Sequence, residues 1–262
     1  MTVAERLELP KSLIKFLGSP KDPKRGFRLL RAFGRVLVPG YQFQWPEVLW
    51  WNYTRFAECL HRFNERNGLN SSRKWVLSEL MRLVEGVPGD TAESGVFEGA
   101  SSYLICRANE RHRGEPRMHY VFDSFAGLSP PRVELDGDHW EPHAMSASET
   151  LVRRNLAEFE RVRFLPGWIP ERYPEVGDRR FALVHVDVDL HDPTRDSLEF
   201  FYPRTNPGGI IVCDDYGSGY CPGATKAVDD YLADKPEKML EMVGGGGFLI
   251  RGTLTQAQAF RG

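Results

Sequence analysis

From residue 89 onward, short apolar runs alternate with segments whose apolar residues recur at helical spacing. The strand candidates are DTAESGVF, MHYVFDSF, RVRFLPG, FALVHVDVD and GGIIVCDDY, and the helix candidates between them are SSYLICRANERH, SASETLVRRNLAEFE, IPERYPEV and DPTRDSLEFFYPRT. This alternation is typical of an α/β fold in which a parallel sheet carries helices on both faces. After these segments, GATKAVDDYLADK predicts a last helix, and GGGGFLIRG predicts a turn into a final antiparallel strand.

Residues 1–88 have a different pattern, because they carry aromatic segments that resemble helices. One of them, SSRKWVLSELMRLVEGV, predicts a helix that Ser71 or Ser72 caps. We expect residues 1–88 to form a helical extension and residues 89–262 to form the core. The aromatic side chains of the extension suit a lid or the interface of a homo-oligomer, and packing onto the core explains them equally well: Tyr41, Phe43, Trp45, Trp50, Trp51 and Tyr53.

The composition and charge of the chain are ordinary for a globular protein, with 262 residues, 34 basic and 36 acidic side chains. The formal net charge of −2 gives no electrostatic reason to expect a nucleic acid or a membrane surface as partner. No apolar run approaches the span of a bilayer, and MTVAERLELPKSLIKF lacks the apolar centre of a signal peptide, so we expect a cytoplasmic protein. The four cysteines form no CxxC pair, which argues against a zinc site or a disulfide framework.

Glycines and polar residues follow the predicted strands at their carboxyl ends, where an open α/β sheet binds its ligands. The first strand runs into ESGVFEGASS, where glycine lets a ligand approach the backbone and a serine can cap the next helix. At the second strand end, Asp123 can accept hydrogen bonds from the ribose of an adenosine-type ligand, or cap the following loop. After the third strand, Gly167 permits a close approach and Trp168 offers a flat apolar wall, with a core tryptophan as the alternative.

The ends of the fourth and fifth strands, HVDVD and VCDDYG, are the most specific signal in the chain. Their acids Asp187, Asp214 and Asp215 would meet at one edge of the sheet. Carboxylates at such distances repel one another unless they are protonated or bridged by a cation. Because all the ligand atoms would be oxygens, Mg²⁺, Ca²⁺ or Mn²⁺ is favoured over zinc. We expect Asp189 to orient the ligands and Asp192 to be the N-cap of the next helix.

The segments ESGVFEG, YVFDSFAGL, FLPGWIPERYP, HVDVDLHDPTRDSLEFFYPRTNPGGIIVCDDYG and GATKAVDDYL together resemble the macrocin O-methyltransferase family. The resemblance covers roughly residues 70–250 in the expected order and spacing. It implies a Rossmann-like class I methyltransferase core with a mostly parallel seven-stranded sheet. It also implies S-adenosyl-L-methionine as methyl donor, a Mg²⁺ ion beside it, and a sugar hydroxyl of a macrolide or related metabolite as acceptor.

Carried over by position, the resemblance also implies roles for individual residues. Contacts with the donor are expected from Glu93, Gly95, Val96, Gly99, Ser101, Ser102, Asp123, Ser124, Gly167, Trp168, Asp187 and Asp189. The metal-binding acids of the family match Asp187, Asp214 and Asp215. The loop SPPRVELDGDHWEPHAMSASE and the residues before position 70 match less closely, and these regions would form the acceptor pocket. The acceptor is therefore expected only to be a small molecule with adjacent hydroxyls.

Methyl transfer to a hydroxyl needs a nucleophilic oxygen, which a metal ion promotes by lowering the pKa of the hydroxyl. Asp187 would take part in catalysis by holding that metal. The candidates for a general base are His139, His143 and His191, because imidazole titrates near the working pH, and each of them suits a surface or core position as well. His185 lies inside the fourth strand and is expected to be structural.

Two other classes of protein stay open at this point. A metal-dependent hydrolase or phosphoryl-transfer enzyme could use the same acids, although no phosphate cradle or basic clamp appears beside VCDDYG. A non-catalytic nucleoside-binding protein could retain the donor pocket. A nicotinamide-dependent oxidoreductase is disfavoured because the chain lacks the GxGxxG motif at the first turn.

Overall fold

The computed structural model describes residues 3–20, 23–37, 49–65 and 68–257. The chain forms two compact units, residues 1–54 and residues 55–262. Three of the aromatic residues predicted to form a lid or an interface, Tyr41, Phe43 and Trp45, lie outside the described residues.

The first unit contains helices α1 (Val3–Leu17) and α2 (Pro23–Leu37) and a 3₁₀ turn at Leu49–Asn52. The two helices pack against each other, and the Arg25 guanidinium donates a hydrogen bond to the carbonyl of Lys15 at 3.1 Å. Several apolar side chains of these helices are exposed, namely Leu13, Ile14, Leu17, Leu30, Phe33 and Leu37. A role for this unit as a lid or a subunit interface stays a prediction.

The second unit is built on a seven-stranded sheet. Its strands are β1 (Asp90–Ser94), β2 (His119–Asp123), β3 (Val162–Pro166), β4 (Phe181–Val186), β5 (Thr205–Cys213), β6 (Leu240–Glu241) and β7 (Gly247–Ile250). They lie in the order β3-β2-β1-β4-β5-β7-β6. The first five are parallel, and β7 pairs antiparallel with both β5 and β6. The α/β fold and the final antiparallel strand are thus confirmed.

Helices cover both faces of this sheet. They are α3 (Thr54–Arg62), α4 (Gly68–Leu83), α5 (Ala100–Asn109), α6 (Val133–Asp136), α7 (Glu149–Asn155), α8 (His191–Phe201) and α9 (Pro222–Leu232). Because successive strand side chains point to opposite faces, Leu183 packs with α4 and α5, whereas Val184 packs with α8 and α9. In the described part of the chain, no helix has the length and apolar character that a membrane span requires.

Helix α4 belongs to the unit that contains the sheet, although the predicted extension included it. Its residues Leu77, Leu80 and Met81, and Val84 just after its end, recur at helical spacing and are buried against the sheet. Each fully buried apolar side chain of this size contributes roughly 1.5–3 kcal/mol to folding. The compact unit therefore begins near residue 55, whereas the change from helical to alternating sequence pattern falls near residue 89.

Two predicted helix caps differ from the structure. Helix α5 begins after Gly99, whose φ is 92°, and no side chain caps it. Ser102 lies inside this helix and donates its hydroxyl to the buried carboxylate of Glu93 instead. Helix α8 begins after Leu190, so Asp192 lies in its first turn and is not the N-cap.

Candidate active site

A cavity of about 450 Å³ lies at the carboxyl ends of the parallel strands, where the strand order reverses between β1 and β4. The segments that follow β1 to β5 all contribute to its lining. Helix α4, the residues just before it and the loop after β2 complete the wall. The sequence predicted this edge of the sheet because its polar residues follow the strands.

The turn after β1 requires glycine at position 95. The φ of Gly95 is 76°, and a Cβ atom there would lie 1.8 Å from the carbonyl oxygen of Asp187. The next residue, Val96, donates its backbone N–H to the Asp123 carboxylate at 2.7 Å. The first turn is thereby held against the ends of both β4 and β2, and Gly95, Val96 and Ser101 all line the cavity.

Replacing Gly95 with alanine should lower the free energy of unfolding by at least about 2 kcal/mol, because positive φ is strained for alanine and the added methyl group collides with backbone. Urea denaturation followed by circular dichroism measures this change. Gly86→Ala is the matched control, because no atom lies within 4 Å of the Cβ that alanine would add. Equal stability of the two variants would contradict the role given to Gly95.

Asp123 joins the loops that border the cavity. Its two carboxylate oxygens accept the backbone N–H groups of Val96 and Phe125, each at 2.7 Å, and burial nevertheless raises its pKa. Its backbone carbonyl accepts the N–H of Gly167 at 2.9 Å, which fixes the turn after β3.

Trp168, 38% exposed, lines the cavity, so the alternative of a core tryptophan is excluded. Ser124 also lines the cavity.

Four acids follow β4 and β5 and line the same cavity, but the described structure arranges them in two groups. Asp187 and Asp214 have ligand atoms within 4.8 Å of each other and of His185. Asp189 and Asp215 form a second group with Cys221, in which Asp215 accepts the backbone N–H of Asp189 at 2.8 Å. The three predicted metal-binding acids thus share one cavity without forming a single cluster.

The pKa values of these acids diverge because their partners differ. Burial and the neighbouring Asp214 raise the pKa of Asp187 to about 7. Burial likewise raises the pKa of Asp215, with Asp189 and Asp187 adding to the effect. Burial would also raise the pKa of Asp214, but Lys74, His185 and Arg73 outweigh it and hold that pKa below its usual range. Asp214 therefore receives most of the local positive charge.

Two basic residues beside the acids were missed by the sequence analysis. Arg73 forms an ion pair with Asp214 (2.6 Å to Oδ2) and donates to the Asp214 carbonyl at 2.9 Å and to Asn70 at 2.7 Å. Lys74 lines the cavity and is only 6% exposed. Burial would lower the pKa of Lys74, but the negative charges of Asp214 and Asp187 outweigh the effect of burial and raise that pKa. The sequence carried a signal for the position of Lys74. It lies one helical turn before the buried Leu77, and residues at that spacing lie on the same face of a helix.

Glu93, Gly99 and Ser102, three of the residues predicted to contact the donor, are not among the residues that line the cavity, and their contact with the donor stays a prediction. Glu93 lies inside β1 rather than after it, and only 1% of it is exposed. It accepts from Ser102 and lies 2.9 Å from Nδ1 of His185, whose other ring nitrogen lies 3.4 Å from Asp214. Burial would lower the pKa of His185, but the hydrogen bonds and charges of Asp214 and Glu93 outweigh the effect of burial and raise that pKa to about 10.

The three candidate general bases have different surroundings. His139 lines the cavity, with its ring centroid 4.7 Å from that of Trp140 and 4.5 Å from that of Tyr220. His143 is exposed and does not line the cavity; its Nδ1 lies 3.0 Å from the Ala126 carbonyl. His191 is buried at the start of α8, with Nδ1 2.9 Å from Asp192, and it does not line the cavity either.

The order of the strands and the helices on both faces of the sheet form the Rossmann-like fold of class I methyltransferases. The solved structure of the O-methyltransferase NovP is similar to this chain with a TM-score of 0.59 and 30% identity, covering 68% of this chain and 79% of NovP. The calicheamicin methyltransferase CalS11 shares the fold with a TM-score of 0.62 at 19% identity, covering 81% of this chain and 96% of CalS11.

The macrocin O-methyltransferase (TylF) family model matches residues 73–248, and the chain belongs to this family. It is 35% identical to the 8-demethyl-8-(2,3-dimethoxy-α-L-rhamnosyl)-tetracenomycin-C 4′-O-methyltransferase of Streptomyces olivaceus, over 57% of this chain and 60% of the relative. It is 36% identical to the demethyldecarbamoylnovobiocin O-methyltransferase of Streptomyces niveus, over 56% and 59%. The mycinamicin III 3″-O-methyltransferase of Micromonospora griseorubida is 32% identical, over 57% and 62%. The alignments thus span about three fifths of these relatives.

Proposed function

We propose that this protein is an Mg²⁺-dependent O-methyltransferase that moves a methyl group from S-adenosyl-L-methionine to a hydroxyl of a small molecule, a sugar carried by a natural product. The observation that carries the proposal is the cavity at the switch point of the sheet, where Asp187 and Asp214 lie beside the turn at Gly95 and the carboxylate of Asp123. The names of the family members support the reaction, and one of them specifies a rhamnosyl group.

The charges around the acids fit a divalent cation. Three cationic groups, Arg73, Lys74 and His185, adjoin the acids of β1, β4 and β5. Five carboxylates face them, namely Glu93, Asp187, Asp189, Asp214 and Asp215. This excess of acids contributes to the raised pKa values of Asp187 and Asp215, which a bound cation would lower. Oxygen ligands are those that Mg²⁺ prefers. Asp187 and Asp214 would hold the ion, with Asp215 contributing from the same cavity.

Other residues of the cavity would bind the donor and remove the proton of the acceptor hydroxyl. Asp123 would accept hydrogen bonds from the ribose of the donor, since each of its oxygens keeps a lone pair beside its backbone contact. Gly167 and Trp168 would border the adenine. S-adenosylmethionine would supply an electrophilic methyl group, and Mg²⁺ held by Asp187 and Asp214 would lower the pKa of an acceptor hydroxyl. His139 lines the cavity and would accept the proton.

Methyl transfer from S-adenosylmethionine to a panel of acceptors, with Mg²⁺ or with EDTA, tests the proposal. Rhamnosides with adjacent hydroxyls should be methylated in the presence of Mg²⁺ and not in EDTA. Catechols offer adjacent oxygens without a sugar, and glycosides lacking one of the two hydroxyls serve as controls. Calorimetry with S-adenosylhomocysteine, NAD and ATP separates the rival classes. Binding of ATP or NAD in preference to S-adenosylhomocysteine would overturn the proposal.

A further inference from the structure

Lys74 is a buried cation whose ammonium has no direct partner in the described part of the chain. Its side chain lines the cavity with 6% of the residue exposed. Among residues 3–20, 23–37, 49–65 and 68–257, none forms a hydrogen bond or a close ion pair with its Nζ atom. A charged group that has left water needs compensating hydrogen bonds, so this ammonium is suited to receive a ligand.

The neighbouring Arg73 is not free in the same way. Its guanidinium pairs with the Asp214 carboxylate, donates to the Asp214 carbonyl and donates to Asn70. Arg73 keeps one donor without a partner, its buried Nε, whereas no N–H group of the Lys74 ammonium has a hydrogen-bond partner among the described residues. That ammonium has three N–H groups to offer.

The order of the strands indicates which part of the donor would reach Lys74. The ribose site at Asp123 is at the end of β2, and the adenine wall at Trp168 follows β3, so the adenosyl group occupies that side of the sheet. Its amino-acid tail must then extend the other way, past the turn of β1 toward β4. Helix α4 covers β4 and β5, and Lys74 lines the cavity on that side.

We infer that Lys74 binds the carboxylate of the amino-acid tail of S-adenosylmethionine, an inference that rests on the proposed function. The tail carries one carboxylate, which would enter a cavity walled by Glu65, Asp187 and Asp214. These acids repel it, so a cationic side chain at its binding point would stabilise it there. Lys74 supplies that cation, and the Gly95 turn lines the same cavity.

Ligands with and without the tail test this inference in a Lys74→Met variant. Calorimetry would compare S-adenosylhomocysteine, its decarboxylated analogue and 5′-methylthioadenosine, which has no tail. In the wild-type protein, loss of the carboxylate should weaken binding by about 10- to 100-fold, the range for a charged hydrogen bond. In Lys74→Met, S-adenosylhomocysteine should bind as weakly as the decarboxylated analogue, while the affinity for methylthioadenosine stays within about twofold of wild type.

Lys226→Met is the matched control, because Lys226 is exposed and pairs with Asp230 at 2.7 Å. Its ligand affinities should equal those of the wild type. A Lys74→Arg variant keeps the charge and should keep a preference for the ligand with the carboxylate, which provides a second readout if Lys74→Met unfolds.

Three outcomes would overturn the inference. If Lys74→Met weakens binding of all three ligands equally, Lys74 has a structural role. If its affinity for S-adenosylhomocysteine is unchanged while Mn²⁺ binds more tightly, Lys74 is only a counterion of Asp187 and Asp214. If the wild-type protein binds the decarboxylated analogue as well as S-adenosylhomocysteine, no cation contacts the carboxylate. Failure of the wild-type protein to bind any of the three ligands would instead overturn the proposed function.

Discussion

Asp187→Asn should lower the rate of methyl transfer by about 1,000-fold at saturating Mg²⁺, which corresponds to about 4 kcal/mol of transition-state stabilisation. Asparagine has nearly the same size, but it cannot carry the negative charge that holds a divalent cation beside Asp214. The variant should also bind Mn²⁺ more weakly, as electron paramagnetic resonance would measure. Its affinity for S-adenosylhomocysteine should change little, because the ribose and adenine sites are formed by other strands.

The control for this prediction is Asp234→Asn, which removes a charge from an exposed acid paired with Lys235. It should leave the rate, the Mn²⁺ affinity and the nucleoside affinity at wild-type values. The role of the acids would be wrong if Asp187→Asn retained full activity, or if the wild-type enzyme turned over undiminished in EDTA. A loss of nucleoside affinity equal to the loss of rate would place Asp187 in the donor site alone.

The acids of this site could be predicted because of where they stand relative to the strands. Asp187 follows the last residue of β4, and Asp214 follows the last residue of β5. A residue just past the end of a parallel strand reaches the ligand edge of the sheet whichever face its neighbours occupy. The pattern of apolar runs was sufficient to find those ends, since the two strands are buried throughout most of their length.

Glu93 shows what the same reasoning could not resolve. It stands one residue before the end of β1, and within a strand the direction of a side chain alternates. Its carboxylate lies on the face covered by α5 and opposite His185 in the register of β1 and β4. The sequence did contain a signal for the contact between Glu93 and His185, because an acid and a histidine stand at paired positions on neighbouring strands. The resemblance to the family gave Glu93 a contact with the donor and not this pairing.

The basic residues of the site depend on packing that no local pattern specifies. Arg73 and Lys74 reach Asp214 across about 140 positions of the chain, through the docking of α4 on the sheet. The sequence predicts the helix but assigns it to the helical extension of residues 1–88, which gives no reason to expect its side chains beside the acids. Buried helix positions that carry a charge, such as Lys74 one turn before Leu77, are where such contacts could be sought.

Glu93→Ala should lower the free energy of unfolding by about 3–5 kcal/mol, because it removes one carboxylate of a buried ionic network and leaves the charge of His185 with only Asp214 as a compensating partner. The raised pKa of His185 keeps its imidazole protonated at neutral pH, and that charge lies between Glu93 and Asp214. Ser102 would also lose its hydrogen-bond acceptor. Urea denaturation at neutral pH measures the change as a shift of the midpoint.

Glu158→Ala is the comparison that separates burial from ion pairing as the cause. Glu158 pairs with both Arg62 and Arg107, but its side chain is 39% exposed, so its loss should cost at most about 1 kcal/mol. Calorimetry with S-adenosylhomocysteine then distinguishes the two roles of Glu93. A folded Glu93→Ala variant of unchanged stability that no longer binds the nucleoside would support a contact with the donor. A destabilised variant that binds it normally when folded supports the buried network, because Glu93 then acts on the framework of the sheet and not on the ligand.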